Sequence, residues 1–106
     1  MGEIDFPKLL FDYDYDDRVA YEAQARGYIR GVTVETADGK RHPVFFYDPT
    51  RLAQDLVEET KLGRPFVAEK GMIVLNDVTL ENMMGAVRWL ARHGFFDAGG
   101  KAQDAR

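Results

Sequence analysis

The chain has 106 residues, of which 45% are hydrophobic and 30% charged, with a formal net charge of −4 and no cysteine. A chain of this length buries one core without staples, and the missing cysteine excludes disulfides, thiolate zinc sites, iron–sulfur clusters and cysteine nucleophiles. No run approaches the roughly 20 apolar residues of a membrane span, and the acidic balance lacks the basic stripe that nucleic acid requires. A soluble, cytoplasmic single domain is expected, with neither membrane nor nucleic acid as a partner.

The charge is segregated. Residues 1–22 hold seven acids against two bases, a net of −5, while residues 23–106 hold eleven acids against twelve bases, a net of +1. The acidic arm centres on Phe11-Asp12-Tyr13-Asp14-Tyr15-Asp16-Asp17. If extended, this run turns Phe11, Tyr13 and Tyr15 to one side and Asp12, Asp14 and Asp16 to the other. Read as a calcium loop from Asp12, it has acids at positions 1, 3 and 5. It has Asp17 where the turn demands glycine, and Ala23 where a bidentate glutamate belongs. No metal or other cofactor is expected.

Residues 9–14 resemble the first motif of haloacid-dehalogenase-type phosphatases, an apolar strand ending in Asp-x-Asp. The resemblance implies a nucleophilic aspartate on a parallel sheet. The sequence departs from it: Asp16 stands where the family has threonine or valine, Pro7 precedes the strand, and alternating βαβ units are missing. The run reads better as an edge-protecting or recognition surface.

Residues 17–26 are ambiguous. Composition favours a helix, but Val19, Tyr21, Ala23 and Ala25 alternate with polar or small residues, and this period tips the reading toward a strand. Beyond Gly27 the punctuation is clear. Residues 28–36 and 41–47 form a β-hairpin around the Ala37-Asp38-Gly39-Lys40 turn. Asp48 caps a helix with Pro49 at its first position, ending at Gly63. Its core face is expected to be Leu52, Ala53, Leu56, Val57 and Thr60, with Arg51, Asp55, Glu58 and Glu59 toward water.

A second hairpin is expected from residues 66–68 and 72–75 about Glu69-Lys70-Gly71. A second helix then runs from a Thr79 cap to His93, stopped by Gly94. Phe95 and Phe96 fold back on its end, and residues 97–106 form a disordered tail. The predicted fold is α+β: ββαββα, an antiparallel sheet with two helices on one face, forming a domain over residues 1–96.

The second helix carries a core stripe of Leu80, Met83, Met84, Val87, Leu90 and Ala91. Its opposite side holds Asn82, Gly85, Ala86, Trp89 and His93. A mid-helix glycine beside the one tryptophan predicts close packing against the N-terminal arm, a second subunit or a partner. The two histidines form no catalytic or metal-binding spacing: His42 reads as solvated, and His93 as a cation on the helix dipole.

The composition and motifs point to a small non-enzymatic interaction or accessory module of bacterial character, homodimeric or inhibitor- or immunity-like. Its contact surface is drawn from Asp12, Asp14, Asp16, Asp17, Tyr13, Tyr15, Gly85 and Trp89. The alternative is a ligand-binding protein or enzyme with Tyr13, Tyr15, Asp14, His42 and Arg30 gathered on the sheet.

Overall fold

A computed structural model describes residues 6–97. They form a small α+β domain whose elements run β1 (Lys8–Phe11), α1 (Asp17–Arg26), β2 (Tyr28–Glu35), β3 (Arg41–Tyr47), α2 (Pro49–Lys61), β4 (Met72–Val74) and α3 (Leu80–Arg92). The sheet order is β1-β2-β3-β4. The first three strands are antiparallel neighbours, and β4 joins β3 in parallel, with Phe46 opposite Ile73.

The hairpin turn forms where its residues predict it. Gly39 takes φ 85°, and the Thr36 amide donates to the Lys40 carbonyl at 3.0 Å. Asp48 caps α2 by accepting from the Arg51 amide at 2.7 Å, and Thr79 caps α3 by accepting from Asn82 at 3.1 Å.

Residues 17–26 are a helix and not a strand. Asp16 accepts from the Val19 amide at 2.9 Å, and Gly27 closes the helix in the left-handed region at φ 80°. Glu22 lies between Arg18 and Arg26 at 3.5 and 3.6 Å, one turn to either side. The apparent period of two arises from alanines, which fit either state.

The second hairpin does not form either. Residues 66–68 belong to no strand, and only Met72–Val74 enters the sheet. The open edge of β3 accepts this segment in parallel, which requires a crossover of a dozen or more residues; α2 and its following loop supply it.

The core lies on one face of the sheet. Ile29, Val32, Val34, Val44, Phe46 and Ile73 pack with Ala23 of α1 and with Met83 and Val87 of α3. Leu9 and Phe11 of β1 pack against the same cluster, so these two apolar residues of the arm have their place at the sheet edge. Tyr28, Phe45 and Tyr47 alternate with these positions and face the other way. There they meet α2, so the two helices expected on one face, α2 and α3, lie on opposite faces, with α1 beside α3. Residues 1–5 and 98–106 lie outside the described residues, and with them most of the expected disordered tail.

Candidate functional site

The rotation of α2 departs from the expected one, although Leu52 is half-buried and Glu58 exposed as expected. Arg51, Asp55 and Glu59, predicted to face water, turn toward the sheet. Leu56 and Val57, predicted as core, are 40% and 53% exposed, and no residue of α2 is buried. Beyond the helix Leu62 and Phe66 are also exposed, at 66% and 60%, Phe66 on the same side of α2 as Asp55 and Glu59.

The inward side explains the setting. Arg51 places its guanidinium 4.4 Å from the centre of the Tyr28 ring and holds Asp55 at 3.1 Å. Arg30 lies 4.3 Å over Phe45, donates to the Tyr47 hydroxyl at 3.3 Å and pairs with Glu69 at 3.0 Å. Arg64 closes on Glu59 at 2.6 Å. Arg30, Tyr47, Asp55, Glu59, Arg64 and Glu69 border a cavity of about 420 Å³ between helix, loop and sheet. Burial pushes the Tyr47 phenol above its ordinary pKa, with the Asp55 carboxylate adding to the effect. The Glu69 hydrogen bond holds Arg30 more firmly protonated still. The sheet's second face is therefore aromatic and cationic, and it selects the polar side of α2. A sequence signal existed in Arg51, Asp55 and Glu59, which share one helix face at i, i+4 and i+8.

The acidic run is a turn between β1 and α1, not a strand. Phe11 and Tyr15 stack at 4.6 Å, and the Tyr13 hydroxyl donates to the Arg30 carbonyl at 2.5 Å. Burial raises the pKa of both Tyr13 and Tyr15. Gly31 lies beneath Tyr13 at φ 76°, where a Cβ would come within 2.9 Å of the ring. Asp12, Asp14, Asp16 and Asp17 are all exposed. Asp16 has a structural task as the α1 cap, and Asp17 adds negative charge to the first turn. Among the described residues, no group of three or more His, Cys, Asp or Glu is placed to hold a metal ion.

Gly85 and Trp89 remain on the surface. Trp89 is 53% exposed and stacks on His93 at 3.7 Å, and a Cβ on Gly85 would meet nothing within 4 Å. The His93 ring donates through Nδ1 to the Trp89 carbonyl at 2.8 Å. The described part of the N-terminal arm packs elsewhere.

His42 is half-buried, not solvated: its ring lies 5.1 Å from that of Phe96, and Nε2 is 3.3 Å from Thr36 Oγ1. The structure thus joins Tyr13 to Arg30 but places His42 at the opposite end of β3. A further cleft of about 560 Å³ opens at that end, between the C-terminal half of α3 and the β2–β3 turn.

No family model, no curated protein and no solved structure matches the chain. Among the described residues, no helix is long and apolar enough to cross a membrane.

Proposed function

We propose that the protein is a non-enzymatic interaction module that pairs with a second copy of itself through the outward face of α2. The observation carrying this reading is the rotation of α2, which turns Arg51, Asp55 and Glu59 toward the sheet and leaves Leu56 and Val57 to water, with Leu62 exposed just beyond the helix. Apolar side chains exposed side by side on a helix mark an interaction site more often than isolated exposed residues do.

Charge supports a second copy as the occupant. Residues 49–64 carry three bases and three acids, and each acid is held by a base of the same chain: Asp55 by Arg51, Glu58 by Lys61 and Glu59 by Arg64. Two such faces meet without net repulsion, although the chain as a whole carries −4. The acidic turn, with exposed Asp12 and Asp14, stays clear of this contact and is available to a basic partner.

Equilibrium sedimentation of the full chain tests the reading. A monomer–dimer equilibrium is expected, abolished by Leu56→Glu with Val57→Glu and untouched by Trp89→Ala. A strict monomer up to about 100 μM, a range in which weak interfaces still associate, overturns it.

A further inference from the structure

The cleft beside α3 has a composition that the interaction surface does not explain. Arg88 and Arg92 line it from successive turns of α3, Asp38 from the β2–β3 turn and Asp97 from the segment after α3. Phe6 and Phe96 supply aromatic walls. Two cationic and two anionic side chains share this space, yet none closes an ion pair with another. Elsewhere among the described residues Arg18, Arg26, Arg30, Arg51 and Arg64 each hold a carboxylate, while Arg41, at the start of β3, does not.

The helix dipole accounts for Arg92 in the last turn. It does not account for a second arginine four residues earlier, where like charges repel. The lining is neutral in sum, so it favours a ligand carrying both signs over a simple anion.

We infer that this cleft binds a small zwitterion with an apolar body, an α-amino acid or a compound of that class. Arg88 and Arg92 take its carboxylate in charge-assisted hydrogen bonds. Asp38 is already engaged, its Oδ1 accepting from the Thr36 hydroxyl at 2.6 Å and the Lys40 amide at 3.1 Å. Asp97, which has no such engagement among the described residues, takes the ammonium group, and the apolar body lies against Phe6 and Phe96. A volume of about 560 Å³ suits a ligand of this size. The site is independent of the α2 face, so either can fail without the other.

The experiment is calorimetric titration of the full chain with three probes of one shape: L-phenylalanine, 3-phenylpropionate and phenethylamine. L-Phenylalanine is expected to bind about tenfold tighter than 3-phenylpropionate, the effect of one charge-assisted contact, and phenethylamine weakest. Arg88→Gln with Arg92→Gln should abolish binding of both carboxylates. Asp97→Asn should bring L-phenylalanine down to the affinity of 3-phenylpropionate, with the melting temperature retained in both variants. Failure of all three probes to bind overturns the site. Equal affinity for L-phenylalanine and 3-phenylpropionate in the wild type overturns the zwitterion assignment.

Discussion

Truncating Leu56 and Val57 together distinguishes an outward from an inward α2. Leu→Ala removes three carbons and Val→Ala two, each worth about 0.8 kcal/mol when fully buried. Leu56 is 40% exposed and Val57 53%, so their burial within one chain is partial. Scaling by the buried fraction gives about 1.4 kcal/mol for Leu56 and about 0.8 for Val57, roughly 2 kcal/mol for the pair. Were the stripe packed on the sheet as the sequence pattern implies, Leu→Ala alone would cost about 2–5 kcal/mol once the cavity term is added, and the pair more. The assay is urea unfolding of wild type and the double alanine variant at two protein concentrations far apart. At the low concentration a loss near 2 kcal/mol is expected. At the high concentration the loss grows, because the wild type then also gains from association. A loss above about 4 kcal/mol at the low concentration would mean a core-facing stripe and refute the orientation derived for α2.

Asp16→Ala removes the cap of α1 and should cost about 1 kcal/mol with a loss of helical circular dichroism; a strand at residues 17–26 would show neither. Tyr47 gives a pH signature. Its phenol has a raised pKa in the folded state, so its contribution to stability is fully present below the unfolded phenol's pKa, about 10, and is lost as pH rises through the folded value. The stability difference between wild type and Tyr47→Phe should therefore shrink in the alkaline range, and the variant's ultraviolet titration should lack one late-ionising phenol. A difference constant from neutral pH to the alkaline limit would show that Tyr47 titrates no differently once folded.

Elements whose residues act locally were legible in the sequence. Asp48 with Pro49, Thr79, and the glycine of the Thr36–Lys40 turn each do in the structure what their own chemistry dictates. So does most of the α3 stripe, where Met83 and Val87 are buried and Met84, Leu90 and Ala91 pack beside them. What failed depends on partners distant in sequence. The cap on α1 was misjudged because Asp16 was read as one member of an alternating strand. The parallel β4 depends on which sheet edge stays open, and no periodicity in a three-residue strand reports that. Gly85 and Trp89, expected to pack closely against another element, lie at the surface, with Trp89 stacked on His93. The cleft beside Arg88 and Arg92 is not legible in the sequence, because the acids that share it come from other segments.

The orientation of α2 is the deepest of these failures, and it traces to one junction. Asp48 follows β3 directly; its amide donates to the Gly27 carbonyl at 2.8 Å while its side chain caps the helix. Gly27 leaves room for that carboxylate, since a Cβ there would stand 2.6 Å from Asp48 Oδ1. The end of α1 thus fixes the start of α2, and a fixed first turn fixes the azimuth of every later residue at 100° each. Arg51 then falls over Tyr28 and Asp55 beside Tyr47, and Val57 points away. Turning the helix about its axis to bury the stripe would break the junction and strip Arg51 from its ring. It would also set apolar side chains against the Arg30–Glu69 pair. An amphipathic pattern says that a helix has two sides but not which side the chain itself claims. Here the chain claims the polar one, so Leu56 and Val57 are left to water.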